Sequence, residues 1–243
     1  VVLNEKKELI LEFVQPTGWS SVDTAEEIRQ KLELSGINLS DDSSCCVATG
    51  YGRISVPYAD KTVTEITCHA LGAVHLFQHP DLTVIDIGGQ DTKIIQIEQG
   101  FVKDFIMNDK CAAGTGRFLE VMANTLSLRP NEMFDLARLG SDTTISSMCT
   151  VFAESEVIGL IGKGEPKENI AYAVVNSTIR KVAAQVSRMN GEMSAFCLTG
   201  GLCECDYIRE ALSKELGKDV VSCPDARYAG AIGAALSAMK IRR

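Results

Sequence analysis

The amino-acid sequence predicts an α/β protein built from two related halves, and three observations carry that expectation. Apolar runs of strand length alternate with stretches of helical periodicity. Two separate strands end on the same Thr-Gly step, in Ala48-Thr49-Gly50 and Leu198-Thr199-Gly200. A further buried run closes on a glycine pair, in Asp86-Ile87-Gly88-Gly89-Gln90-Asp91.

Taken in chain order, Val1–Leu3 reads as a strand, Asn4–Lys7 as a turn, Glu8–Val14 as a second strand and Ser21–Leu34 as a helix. Cys45–Ala48 is a strand running into Thr49-Gly50. Leu82–Asp109 reads as three strands, through Val84, Ile85 and Ile87, then Ile94–Ile97, then Phe101–Met107, separated by turns at Gly88-Gly89 and Gln99-Gly100. A helix is expected over Thr115–Leu126, where Phe118, Leu119, Met122 and Leu126 form one apolar stripe. Ser194–Leu198 is a short buried strand, and Ala226–Met239 a helix of small residues.

Aligning the halves sets Val1-Val2-Leu3 against Ile94-Ile95 and leaves the first half with no counterpart of Val84–Asp91. The natural protein is therefore expected to begin about 15 residues before Val1, with the first strand of the first half missing. The alternative is that the halves are not duplicates. The boundary is placed so that residues 1–80 form the first half and residues 81–243 the second.

Composition narrows the function. With 243 residues, 45% of them apolar and 23% charged, the chain can bury substantial cores. A formal charge of -8 argues against a nucleic-acid binder, which needs clustered Lys and Arg. No apolar run has the length of a membrane span and no signal-peptide pattern opens the chain, so a cytoplasmic location is expected. Nine cysteines, an odd number, read poorly as a disulfide framework and raise metal or redox use instead.

In the Asp86–Asp91 run, adjacent glycines let backbone N–H groups approach an anion, and the flanking carboxylates can hold hydrated Mg2+. An ordinary hairpin turn explains the run about equally well. Thr199-Gly200-Gly201 ends a second strand, so the two glycine-terminated strands resemble two walls of a nucleotide cleft. Neither the G-x-G-x-x-G nor the G-x-x-x-x-G-K-[ST] pattern is present, which disfavours Rossmann and P-loop readings. Cys111 and Cys149 each stand just before an expected helix, where the N-terminal dipole favours a thiolate or an anionic cluster held by thiolates. Their spacing is no local metal motif, and by chemistry alone buried structural cysteines are the simpler explanation. Cys203-Glu204-Cys205 lacks a second Cys pair, and Cys45, Cys46, Cys68, Cys197 and Cys223 lie where small buried thiols are ordinary. Glu65 and His69 lack an H-E-x-x-H arrangement.

Longer runs carry a resemblance. Thr49-Gly50-Tyr51-Gly52-Arg53, Asp60-Lys61, Glu65–His69, Asp86–Asp91, Asn108–Phe118 and Cys149–Val157 together resemble the activators of 2-hydroxyacyl-CoA dehydratases over nearly the whole chain. The resemblance implies duplicated ribonuclease H-like domains of the actin, sugar kinase and Hsp70 ATPase fold. It implies that Cys111 and Cys149 of two subunits jointly hold one [4Fe-4S] cluster at a homodimer axis, with no such role for the other cysteines. It further implies that Gly88, Gly89 and Gln90 form the second phosphate loop, with Asp91 beside it, and that Thr199, Gly200 and Gly201 contact the nucleotide. Arg227 stands where the family often has Gln, and Glu65 matches the superfamily's acidic residue before that loop. Hydrolysis would then depend on Glu65, Asp86 and Gln90, with ATP or ADP and Mg2+ as ligands. The family's first phosphate loop, an Asp-x-Gly-Ser-Thr type turn, has no match in this chain.

By the same resemblance a ferredoxin or flavodoxin supplies an electron to the cluster, ATP hydrolysis accompanies its delivery, and a 2-hydroxyacyl-CoA dehydratase receives it. The rival readings are the ATPase subunit of a benzoyl-CoA reductase, a cluster-free acyl or sugar kinase of the same fold, and a non-catalytic ATP-binding scaffold.

Overall fold

The computed structural model describes residues 1–146, 149–191 and 195–241. Ser194, the first residue of the strand expected over Ser194–Leu198, lies outside them. The chain forms two compact units: Val1–His79 with Gly100–Val102 and Tyr228–Arg243, and Pro80–Gln99 with Lys103–Arg227.

The first unit opens with β1 (Val2–Leu3) and β2 (Leu9–Leu11), an antiparallel pair joined by a turn in which Asn4 accepts from the amides of Lys6 and Glu8. Helix α1 (Ser21–Leu34) starts where the Ser20 hydroxyl accepts from the Asp23 amide, a standard N-cap. β3 (Val47–Ala48) pairs in parallel with β4 (Lys61–Thr62), and α2 (Glu65–Phe77) follows. Helix α2 packs against the chain's last helix so closely that side chains are excluded at the crossing. A Cβ on Gly72 would stand 1.8 Å from the Ala229 carbonyl oxygen, and one on Gly233 would stand 1.7 Å from that of Cys68. Glycine is required there by the approach of two backbones rather than by dihedral freedom.

The second unit carries the strands expected for Leu82–Asp109: β5 (Leu82–Ile87), β6 (Thr92–Glu98) and β7 (Phe101–Asn108). The turn between the last two places Gln99 and Gly100 at φ of 52° and 81°, the left-handed pair a two-residue hairpin demands. Then come α3 (Gly116–Thr125), α4 (Pro130–Ala137), α5 (Thr150–Gly162), α6 (Lys167–Val186), β8 (Ala195–Gly200), α7 (Asp206–Leu216) and β9 (Val220–Val221). The expected stripe of α3, Phe118, Leu119, Met122 and Leu126, is buried. The small-residue segment after Ala226 begins as a 3-10 turn over Ala226–Tyr228 and continues in the first unit as α8 (Ala229–Ala238).

The five-stranded sheet runs β7-β6-β5-β8-β9. Its central strand β5 is antiparallel to β6 and parallel to β8, and both faces of β5 are buried, which is why it is mostly apolar, with only Thr83 and Asp86 polar. The first unit holds the same flanks, an antiparallel β1–β2 pair and a parallel β3–β4 pair, as two separate two-stranded sheets. Among the described residues no strand joins β1 to β3. A cavity of about 660 Å³ is bordered by Val1–Leu3, by Cys45–Val47 with Thr49, and by alanines of α8. The Thr-Gly steps also correspond: Gly50 and Gly200 both take positive φ, 77° and 84°.

Candidate functional site

The site in the second unit grows from strand register. On β5, Asp86 faces Lys93 of β6 on one side and Thr199 of β8 on the other, as direct cross-strand partners. One polar row therefore crosses three strands on one face of the sheet. Thr199 donates its hydroxyl to Asp86 Oδ1 at 2.7 Å, and Lys93 Nζ reaches Asp91 Oδ1 at 2.6 Å and Asp86 Oδ2 at 3.4 Å. All four side chains are buried.

The loop Gly88–Asp91 closes the β5–β6 hairpin, the Gly88 amide donating to the Asp91 carbonyl at 2.9 Å. Its other contacts set the direction of its peptides. The Gly88 and Gly89 carbonyls accept from the amides of Gly116 and Arg117, at 2.9 and 2.8 Å, at the start of α3. Because no peptide among the described residues is cis, the N–H groups of Gly89 and Gln90 turn the opposite way, away from α3. Two adjacent amides so turned, beside exposed Gly89, can receive a phosphate. A Cβ on Gly88 would lie 2.7 Å from Asp91 Oδ1, whereas one on Gly89 would meet nothing within 4 Å. That contrast makes Gly89→Ala a clean probe. We expect the variant to fold as the parent does and to bind ATP at least about tenfold more weakly by calorimetry, since the added methyl occupies ligand space only. Unchanged affinity would remove this loop from the nucleotide site.

The second glycine step is built differently. A Cβ on Gly200 would stand 2.5 Å from the Ile87 carbonyl oxygen and 3.0 Å from Asp86 Oδ1, so Gly200 lets β8 approach β5 at the polar row. Gly201 borders open space. Arg227, in the 3-10 turn, lies 3.6 Å from Glu204, an exposed pair in the same unit. Glu65 is the first residue of α2 and belongs to the first unit.

Cys111 and Cys149 are both exposed. The loop carrying Cys111 is pinned by Asn108, whose amide donates to the Cys111 and Ala113 carbonyls at 2.9 and 3.0 Å, and by Thr115, whose hydroxyl donates to Ala112 at 2.6 Å. Thr92 ties the same loop to β6 by donating to the Gly114 carbonyl at 2.6 Å. Cys149 is the N-cap residue of α5. Helices α3 and α5 are linked by the Thr125 hydroxyl, 3.1 Å from Glu154 Oε1. Among the described residues no group of three or more His, Cys, Asp or Glu side chains could hold a metal ion. Six of the other seven cysteines suit ligation poorly. Burial pushes the Cys203 and Cys46 thiols up to about 11 and raises those of Cys68, Cys197, Cys205 and Cys223 as well. Such groups stay protonated near neutrality.

The structure thus brings Asp86, Asp91, Gly88, Gly89, Gln90, Thr199 and Gly200 to one end of the five-stranded sheet. It adds Lys93, a residue the sequence reading passed over. The available signal was a lysine interrupting the apolar run of β6 at the position opposite Asp86. No described helix is long and apolar enough to cross a membrane.

Known proteins resemble this chain over nearly its whole length. The (R)-2-hydroxyglutaryl-CoA dehydratase activating ATPase of Acidaminococcus fermentans is 42% identical over 245 residues, covering 99% of this chain and 92% of the relative. The crystal structure of component A of that organism's dehydratase superposes with a TM-score of 0.82 over 92% of this chain and 86% of its own. The activator of the 2-hydroxyisocaproyl-CoA dehydratase from Clostridium difficile, solved with bound ADPNP, superposes with a TM-score of 0.80 at 34% identity over 96% of this chain and 84% of its own. The expected α/β fold of the actin and Hsp70 ATPase type is therefore the fold of this protein. The sequence pattern of one family matches residues 1–238, and the chain belongs to it: the BadF/BadG/BcrA/BcrD ATPase family.

Proposed function

We propose that the protein is an ATP-dependent activator that passes a low-potential electron from a [4Fe-4S] cluster, shared by two copies of the chain, to a 2-hydroxyacyl-CoA dehydratase. The observation that carries this reading is the direct bond between the phosphate loop and the helix that follows Cys111. The carbonyls of Gly88 and Gly89 hold the first two amides of α3, and the loop just ahead of α3 carries the thiol. A shift of the loop when phosphate binds would move α3 and the Cys111 segment with it.

The residues fit the cluster on one condition. A [4Fe-4S] centre takes four thiolates, and this chain offers two exposed ones, so the centre needs a second copy about a two-fold axis. The surface beside Cys149 suits such a contact. Helix α5 buries Ala153 and Val157 and leaves Val151 and Phe152 each 67% exposed, with Ile158 and Ile161 also exposed. An apolar outer face of this kind calls for a partner. When bound, the cluster would store the single electron to be delivered, received from a ferredoxin or flavodoxin. Thr199 would orient Asp86 toward a hydrated Mg2+, the amides of Gly89 and Gln90 would hold phosphate, and Gly201 would leave room for the nucleoside. Glu65, Gln90 and Arg227 are assigned to the nucleotide on resemblance.

Relatives named as dehydratase activators favour this partner over a benzoyl-CoA reductase. Anaerobic purification followed by iron and acid-labile sulfide analysis tests the reading. We expect about four irons and four sulfides per dimer, together with binding of MgATP. A protein that binds ATP yet contains no iron or sulfide would be a cluster-free kinase or scaffold instead.

A further inference from the structure

We propose that Lys93 is a positioning residue of the nucleotide site, a buried ammonium that takes Asp91 as its counterion and so assigns Asp86, not Asp91, to the metal–nucleotide complex. The inference rests on the nucleotide reading of the Gly88–Asp91 loop and divides the two carboxylates of that loop between different tasks.

Burial sets the terms. Lys93, Asp86 and Asp91 are 3%, 2% and 6% exposed. A lysine is rarely buried so deeply unless its charge is matched, because removing an ammonium from water is costly. The match here is unequal. Lys93 lies 2.6 Å from Asp91 Oδ1, a short charge-assisted bond, and 3.4 Å from Asp86 Oδ2, beyond the ordinary N–H···O range of about 2.7–3.2 Å. The ammonium thus holds Asp91 more closely than Asp86. Asp91 is further fixed because its carbonyl accepts from the Gly88 amide and its carboxylate fills the space a Gly88 side chain would need. Asp86 is oriented from the opposite side, by Thr199 on Oδ1.

Charge counting gives the functional consequence. With both carboxylates ionised, the cluster of two anions and one cation carries a net single negative charge. Without Lys93 it would carry two, at a separation where ions interact strongly even at an intermediate effective dielectric. Lys93 would then have two effects of opposite sign. It lowers the intrinsic attraction of the empty site for a divalent cation, and it lowers the repulsion felt by an incoming polyphosphate. A lysine that merely stapled the β5–β6 hairpin would have neither; its loss would loosen the loop and weaken both ligands together.

The test is Lys93→Met, which preserves length and removes the charge. Two probes are titrated separately: Mn2+ without nucleotide, followed by electron paramagnetic resonance, and ADPNP without divalent cation, followed by calorimetry. We expect Mn2+ to bind at least about tenfold more tightly and ADPNP at least about tenfold more weakly than in the parent. Lys93→Arg should lie near the parent in both. The double variant Asp91→Asn with Lys93→Met removes the pair without orphaning either charge and should return both affinities toward parental values. Affinities that fall together in folded Lys93→Met, or do not change, overturn the proposal. Should Lys93→Met fail to fold, the double variant decides: parental Mn2+ affinity supports the assignment, and lost Mn2+ affinity makes Asp91 a metal ligand and overturns it. A parent that bound no ADPNP would refute the nucleotide reading itself, while the Mn2+ comparison would still judge Lys93.

Discussion

Cys149→Ala is expected to abolish the iron content of the anaerobically purified protein, and Cys111→Ala to do the same. About a two-fold axis each substitution deletes two of the four thiolates at once, and a cluster left with two protein ligands is not retained. The loss should therefore approach completeness rather than half. The substitutions should leave the fold intact, because both side chains are exposed and neither fills the core. Cys203→Ala and Cys205→Ala are the matched controls. Their thiols are raised by burial, the Cys203 amide donates to the Gly200 carbonyl and Cys205 is the N-cap residue of α7, and full iron content should survive their removal. Iron and sulfide assays, with the visible charge-transfer absorption, measure all four. ATP binding in Cys149→Ala should persist, since the polar row and the Gly88–Asp91 loop contain neither cysteine. Full iron content in Cys149→Ala would remove that residue from the proposed cluster.

Much of the second unit was legible in the sequence because its determinants are local. Leu82–Ile87 is buried throughout and Thr92–Glu98 up to its last residue, so both are spelled mostly in apolar residues, and the turn after Glu98 carries Gly100 at positive φ. The stripe of α3 was visible for the same reason. Lys93 was not, because a lysine in a strand ordinarily points to water, and only the register that sets it against Asp86 makes it part of the site. The role of Gly72 and Gly233 was equally hidden, since glycine inside a helix reads as a weakness until the partner backbone is known to lie against it. Short strands such as Lys61–Thr62 and Val220–Val221 carry too few residues for a periodic signal, and their pairing with β3 and β8 is decided by contacts distant in sequence.

Providing a strand for the gap between β1 and β3 is expected to stabilise the first unit substantially. The second unit shows what such a strand looks like: β5 lies between β6 and β8, antiparallel to one and parallel to the other, and carries Asp86 opposite Thr199 one residue before its end. In the first unit, β1 and β3 border a cavity of about 660 Å³ instead. The corresponding threonine, Thr49, has a buried hydroxyl with no hydrogen-bond partner at ordinary distance, the Cys68 thiol standing beside it. Strands in a sheet are spaced at about 4.8 Å, so one strand between two flanks spans roughly 10 Å. A segment of about 15 residues joined ahead of Val1, written as an apolar strand ending in an Asp and a glycine turn, would pair both edges and give Thr49 an acceptor. Each new net hydrogen bond contributes about 0.5–1.5 kcal/mol, and apolar burial adds to that. A gain of about 3 kcal/mol, or roughly 10 °C in melting temperature for a chain of this size, is a conservative expectation. Scanning calorimetry measures the gain, and hydrogen exchange should show new protection of the amides in β1 and β3. An extended chain with the same melting temperature and no added protection at Val2–Leu3 and Val47–Ala48 would mean that the cavity is not a strand site.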